Sequence, residues 1–244
     1  MASQNTFVLV SGANQGIGLE IVKKLATENS GYHVLMGCRS LEKGQAAIAS
    51  LPPNLSVEPI ELDVTNDSSI SKAVATVQEK YGRLDVLINN AGTGSRSLPQ
   101  GLGLRQQYTQ IMDTNAISAA CLTEAFVPLL RKSSQPRIIF MTSEFGSIGS
   151  TLNPRFPYYG VDKPQYKASK AAMNMIMATY AVKYKDAGFQ VDVCCPGFNA
   201  TNLNGFDKRA GHPSNGAIDA CTLATAGKDG ETGTFTDTKG TLPW

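Results

Sequence analysis

The stretch FVLVSGANQGIGLEIVKKLA, residues Phe7 to Ala26, reads as strand, glycine turn and helix in direct succession. Phe7 to Val10 is an unbroken apolar run, the pattern of a strand covered on both faces in a parallel sheet. Gly12, Gly16 and Gly18 follow at the spacing G-x-x-x-G-x-G. Glycines placed this way permit a tight turn, let the backbone approach a pyrophosphate and let the next helix sit close on its strand. Ile17, Ile21 and Leu25 recur four apart, as do Val22 and Ala26, so the helix has one face to bury. Its first turn directs free N–H groups and the positive end of the helix dipole at an anion. The phosphates of a dinucleotide match that turn.

Working outward, the 244-residue chain shows no composition break or low-complexity linker. One domain over residues 1–244 with a large core is expected. The net charge is +2, with both signs interspersed, which leaves no basic face for nucleic acid and points to small-molecule partners. The polar start MASQNT and the lack of a long apolar run give no signal peptide or membrane span, so a cytoplasmic location is expected. Cys38, Cys121, Cys194, Cys195 and Cys221 are odd in number and share no C-x-x-C spacing, which fits buried free thiols. His33 and His212 stand far apart with no ligand cluster, so neither a zinc site nor a Ser-His-Asp triad has its parts.

The chain then alternates. Tyr32 to Gly37 reads as a second strand, and the residues that select the cofactor lie at its end, about twenty residues past the glycine turn. Cys38, Arg39 and Ser40 stand there; the last two offer a cation and a hydroxyl suited to a ribose 2'-phosphate, where an acidic residue would suit a free 2'-hydroxyl. This favours NADPH over NADH. Leu41 to Leu51 is a helix stopped by Pro52 and Pro53, Ser56 to Leu62 a third strand followed by Asp63 and Val64. Ile70, Ala73, Val74, Val77 and Tyr81 mark an amphipathic helix, and Leu84 to Ile88 a fourth strand ending in Asn89, Asn90, Ala91 and Gly92. This alternation predicts an α/β fold, a Rossmann-like doubly wound parallel sheet of about seven strands with helices on both faces.

Leu104 to Leu130 reads as one long helical region with Asn115 in its apolar middle, where an amide is costly unless satisfied. Ile138 to Met141 is a fifth strand ending in Thr142, Ser143 and Glu144. Thr151 to Pro164, with several prolines and aromatics, reads as a loop wall. Tyr166 to Lys185 is a clear late helix, and Gly233 to Asp237 a seventh strand; Trp244 is expected to pack the tail. Within the late helix Tyr166 and Lys170 lie four apart on one face. A free phenol titrates near about 10, so it needs a neighbouring positive charge to work in acid–base chemistry at neutral pH, and Lys170 supplies one.

Gly12 to Gly18, Asn89 to Gly92, Asn115, Ser143, Tyr166, Lys170 and Cys195-Pro196-Gly197 occur in the order and approximate spacing of the short-chain dehydrogenase/reductase family, which the chain resembles over nearly its whole length. GANQGIGLEIV, the basic end of the second strand, Gly44 to Ile48, LDVLINNAG and CCPGFNAT are most similar to the NADPH-dependent carbonyl reductases. The resemblance implies Tyr166 as proton donor to a substrate carbonyl, Lys170 as the group that lowers its pKa and holds the nicotinamide ribose, Ser143 as polariser of the carbonyl and Asn115 as holder of a relay water. It implies phosphate contacts around Gly12, Asn14, Gln15, Gly16, Ile17 and Gly18, the 2'-phosphate at Arg39 and Ser40, adenine at Asp63 and Val64, and the adenosine ribose side at Asn90, Ala91 and Gly92. Pro196, Gly197 and Thr201 would border the nicotinamide.

Three departures stand out. Ser143 precedes Tyr166 by 23 residues, farther than the family usually sets its serine, so an insertion lies between them, with Ser147 and Ser150 as fallback serines. Gln15 stands where carbonyl reductases typically carry a lysine, which removes one phosphate partner. Only Asn199 to Ser214 is available as a substrate flap. The expected activity is NADPH-dependent reduction of a ketone, aldehyde or quinone. A dehydrogenase working toward oxidation and a non-catalytic NADPH sensor are the alternatives. The insertion beside the helices through which the family commonly oligomerises leads to the expectation of a monomer.

Overall fold

The structure, a computed structural model, describes residues 5–244. The polar start of the chain read above lies mostly outside that range. Strand β1 (Thr6–Val10) leads through the glycine turn into helix α1 (Gly16–Glu28), and β2 (Tyr32–Cys38), α2 (Leu41–Ala49), β3 (Val57–Glu61), α3 (Asp67–Tyr81) and β4 (Val86–Asn89) continue the alternation. Then come α4 (Leu104–Met112), a π-helical turn (Asp113–Ile117), α5 (Ser118–Leu130), β5 (Arg137–Met141), the short α6 (Ile148–Leu152), α7 (Pro164–Lys183) and β6 (Gln190–Cys194). Helix α8 (Ile218–Ala224) and strands β7 (Phe235–Asp237) and β8 (Gly240–Thr241) close the fold.

The strands pair in the order β3-β2-β1-β4-β5-β6-β7-β8. β1 to β7 are parallel, and the two-residue β8 returns antiparallel on β7, so the expected seven-stranded sheet gains one short edge. Alternation within β1 sends Val8 and Val10 to one face, against Ile21, Val22 and Leu25 of α1 and Ala220 and Ala224 of α8. Leu9 faces the other way, with Phe126 of α5 and Met173 and Met177 of α7. Burying each such strand side chain contributes about 1.5–3 kcal/mol, which is why the continuous apolar runs become central strands. The order of strand addition reverses between β1 and β4, and the carboxyl ends of these two parallel strands open a crevice.

Caps mark the helix ends, and α7 starts two residues before the expected Tyr166. The Asn66 side chain accepts from Ser69 N at 3.0 Å to start α3, and Gly82, with φ 73°, ends it. Pro164 stands in the first turn of α7, where its missing N–H costs nothing. The tail packs as expected: Trp244 lies 5.3 Å from Phe235, ring to ring, and its carbonyl accepts from Gly149 N at 2.9 Å.

Two expectations are corrected. Leu104 to Leu130 is not one continuous α-helix, because the π turn interrupts it around Asn115. The Asn115 amide is fully engaged there: Oδ1 accepts from Thr93 N at 2.7 Å, and Nδ2 donates to Thr93 O at 3.0 Å and to Ser169 Oγ at 2.9 Å. Those bonds offset the cost of burying an amide, and the turn carrying it takes the extra residue typical of a π-bulge. Cys121 is the thiol that is not buried; it lies on the solvent side of α5, whereas Cys38, Cys194, Cys195 and Cys221 are inside.

Candidate active site

A cleft of about 680 Å³ opens where β1 and β4 end. Gly12, Asn14, Gln15, Gly16, Ile17 and Gly18 line one side, Asn90, Ala91 and Gly92 the other, with Arg39, Asp63 and Val64 at the far end. Gly12 and Gly16 have φ of 62° and 58°, a region that side chains resist. A Cβ on Gly18 would stand 2.7 Å from Gly12 O and 2.6 Å from Asn90 Nδ2, so glycine there sets how closely α1 approaches the turn. The start of α1 has neither a side-chain cap bond nor an acidic residue in its first turn, which leaves its N–H groups available to an anion.

Asn90 braces the turn. Its Nδ2 donates to Ser11 O at 2.9 Å and Gly12 O at 3.1 Å, while Ser11 Oγ accepts from the backbone N–H groups of Asn90 and Ala91, both at 3.0 Å. Ser11 escaped the sequence reading because nothing in the pattern of one strand shows which neighbouring strand end it will bond. Asp63 Oδ1 is held by Thr65 N at 3.0 Å and Thr65 Oγ1 at 2.8 Å. Arg39 is exposed on the cleft wall. Ser40 does not line the cleft: its hydroxyl accepts from Lys43 N at 3.3 Å and caps α2.

A second cavity, of about 860 Å³, adjoins the first. Tyr166, Ile17, Thr142, Pro196, Thr201 and Leu203 line both. Ser143 and Gly197 face the second cavity, and Lys170 the first. The fallback serines are committed elsewhere, Ser147 Oγ accepting from Ser150 N at 2.9 Å and Ser150 Oγ donating to Glu144 Oε1 at 3.1 Å. Gly146 lets α7 approach this corner, since a Cβ there would meet the Lys170 backbone at 2.7 Å.

Lys170 Nζ donates to Met141 O at 2.7 Å and lies 5.8 Å from the Tyr166 ring centroid. Burial pushes its ammonium down to about 8. Burial pushes the Tyr166 phenol well above its ordinary value, and the group that pulls it back is the Ser143 hydroxyl. The expected acidification by Lys170 is therefore not the dominant effect here, because the amine is itself desolvated and tied to a carbonyl at the ring face. Asn115, Gly92 and Lys170 converge below, a Cβ on Gly92 standing 3.4 Å from Asn115 Oδ1 and 3.8 Å from Lys170 Nζ.

The insertion before α7 builds one wall of the second cavity, with Phe156 and Tyr158 joining Phe145 and Phe198. Phe156 and Tyr158 belong to the aromatics of Thr151 to Pro164, the stretch expected to form a loop wall. Gln15 Oε1 accepts from Asn202 Nδ2 at 2.9 Å, so the glycine turn touches the flap over Asn199 to Ser214. Among the described residues no helix is long and apolar enough to cross a membrane.

The model of the short chain dehydrogenase family matches residues 6–210. The short-chain dehydrogenase/reductase tropE of Talaromyces stipitatus is 38% identical over 82% of this chain and 81% of its own length. The short-chain dehydrogenase/reductase ATR10 of Stachybotrys chlorohalonatus is 35% identical over 99% of this chain and 95% of its own. Among solved structures, the NADPH-bound carbonyl reductase from chicken fatty liver superposes with a TM-score of 0.82 at 29% identity, covering 99% of this chain and 100% of that one.

Proposed function

The chain belongs to the short-chain dehydrogenase/reductase family, and from that premise we propose that it reduces a ketone, aldehyde or quinone carbonyl to an alcohol with NADPH. The observation that carries the proposal is Tyr166 at the junction of the two cavities, with Ser143 on one side and Lys170 on the other. When bound, the reduced nicotinamide supplies the hydride. Tyr166 keeps its proton at neutral pH because burial holds the phenol up, so it is in the acid form that a carbonyl oxygen needs. The Ser143 hydroxyl beside it polarises and orients the same oxygen. Lys170, anchored on Met141 O and charged below about 8, favours the phenolate left after proton transfer and has further N–H donors for the nicotinamide ribose. Asn115 fixes Thr93 and Ser169 around this corner, where the resemblance assigns it a relay water.

The uncapped start of α1 and the positive-φ glycines fit a pyrophosphate, and Asp63 and Val64 fit the adenine end. Arg39, with no acidic residue at the end of β2, supports NADPH over NADH, as does the NADPH-bound state of the similar carbonyl reductase. Pro196, Gly197 and Thr201 would border the nicotinamide. We take the whole of 1–244 as one cytoplasmic nucleotide-binding domain acting on a small molecule. For its assembly, sedimentation decides between the expected monomer and a paired species, since Met175 and Val182, seven residues apart on α7, are 69% and 78% exposed.

The test is NADPH oxidation across a panel of ketones, aldehydes and quinones, repeated with NADH. Reduction that is faster with NADPH is expected. Tight NADPH binding without turnover of any carbonyl would favour a sensor. Turnover confined to alcohols with NADP+ would reverse the direction.

A further inference from the structure

Resting on the reductase reading above, we infer that the substrate is a flat aromatic ketone carrying a hydroxyl group, its ring set against Phe145, Tyr158 and Phe198 and its hydroxyl donating to the Glu144 carboxylate. The aromatic wall starts at the proton donor itself. Ring centroids of Tyr166 and Phe145 are 6.4 Å apart at 88°, those of Phe145 and Tyr158 5.6 Å at 65°, and those of Tyr158 and Phe198 6.3 Å at 61°. Every contact in the series is edge to face, and another ring adds to such a series by the same geometry. Tyr166 and Phe145 line the same cavity, so a ring attached to a carbonyl held at Tyr166 has this aromatic wall to pack against. The cavity, about 860 Å³, lies in the range of roughly 300–1,000 Å³ that takes drug-sized ligands and is far larger than a simple aliphatic ketone fills.

Glu144 supplies the polar half of the recognition. It follows Ser143 in the chain and lines the same cavity. Its backbone N–H is fixed on Cys195 Sγ at 3.2 Å and its Oε1 accepts from the buried Ser150 Oγ at 3.1 Å. The carboxylate is thereby oriented, and Oε2 makes no protein hydrogen bond among the described residues. Arg209, on the same cavity, is engaged with Asp207 at 2.7 Å and does not neutralise Glu144. An acceptor held in this way selects a hydroxyl donor and penalises the analogue that lacks one, because a bound ring takes water from the half-buried carboxylate and leaves it unpaired.

The experiment compares kcat/KM with NADPH for cyclohexanone, α-tetralone and a set of tetralones hydroxylated at each ring position, alongside calorimetric binding of the best hydroxytetralone to the NADP+ complex. A hydroxytetralone should lead, α-tetralone follow and cyclohexanone trail. Glu144→Gln retains an acceptor for Ser150 and should lower the preference for the hydroxytetralone over α-tetralone about tenfold or more. Tyr158→Ala and Phe198→Ala should lower the preference for α-tetralone over cyclohexanone about fivefold or more. Tyr158 and Phe198 are each 39% exposed, so the fold does not depend on them. Equal efficiencies for the three ketone types, or ratios that these variants leave unmoved, overturn the inference while the reductase reading stands. If NADPH binds and no ketone is reduced, the reductase reading fails and calorimetry alone decides: hydroxytetralone binding weakened by Glu144→Gln upholds the inference, and binding unchanged by it, or absent from the wild type, overturns it.

Discussion

On the glycine-turn side of the first cavity the walls are backbone: Gly12, Gly16 and Gly18, the N–H groups that begin α1, and the strand end that Ser11 and Asn90 tie together. Around the second cavity the walls are side chains on irregular segments: Phe145 beside Ser143, Phe156 and Tyr158 from the insertion, Phe198 and Leu203 from the flap. Backbone walls at the ends of buried strands cannot be altered without altering the sheet, while side chains on loops can be exchanged one at a time. One half is suited to a constant ligand and the other to a variable one. Tyr166 lines both, which is where the contrast can be tested.

The largest effect is expected there. Tyr166→Phe removes a hydroxyl and leaves the ring against Phe145, so turnover should fall by about a hundred- to ten-thousand-fold while NADPH affinity hardly changes. A variant that reduces carbonyls at near wild-type rate would remove Tyr166 from the chemistry. Arg39→Asp bears on the far end of the nucleotide half: a charged hydrogen bond contributes about 1.5–3 kcal/mol, so NADPH binding should weaken by roughly ten- to a hundredfold and the preference over NADH should narrow or invert. Equal wild-type affinity for the two nucleotides would exclude Arg39 as the discriminator.

Gly18→Ala probes the claim that this half is backbone. The added methyl would stand within 2.8 Å of Ala13 Cα as well as against Gly12 O, and main-chain atoms cannot step aside as a side-chain tip can. Unfolding in urea should show a loss of about 1–3 kcal/mol together with weakened NADPH binding. A fully stable Gly18→Ala protein would mean that the turn is more pliant than its geometry.

A smaller effect concerns Lys170, on the boundary. Its folded pKa of about 8 lies below the value of about 10.4 that it regains on unfolding. Below about 8 both states carry the proton and the cost of the buried charge is fully present. Between the two values the unfolded chain binds more protons, so this residue's contribution turns more favourable as pH rises. Against Lys170→Met, which carries no charge, the nucleotide-free wild type should therefore gain relative stability from about pH 8 to about pH 10. A pH-independent difference would show that the ammonium is better solvated than its surroundings suggest.

The same contrast explains what could be read from the sequence. β1 and α1, β4 and its NNAG end, and the Tyr166–Lys170 spacing are local patterns, each set by a repeat of the backbone, and they fall where the periodicity puts them. Ser40 was legible as a hydroxyl beside Arg39 but not as the cap of α2, because a cap and a phosphate ligand need the same residue type at the same place. The partners of Asn115, Thr93 and Ser169, stand 22 and 54 residues away, beyond any local pattern. Glu144 passed as the residue after the serine, since its orientation comes from Ser150 and Cys195 across the insertion.

The π turn at Asp113–Ile117 gives the chain an unusual kind of fragility. Each residue of an α-helix advances the facing direction by about 100°. A surplus residue therefore sets the face of α4 at an angle to that of α5 that an uninterrupted helix would not have. Deleting Thr114 would let the two fuse into a single regular helix with a complete ladder of hydrogen bonds, at no cost in helical content. It would also turn α4 away from α7 and move Asn115 from Thr93. A substitution in these five residues changes one side chain, whereas a lost codon turns a whole helical face, and the repaired helix would belong to a protein without its active site.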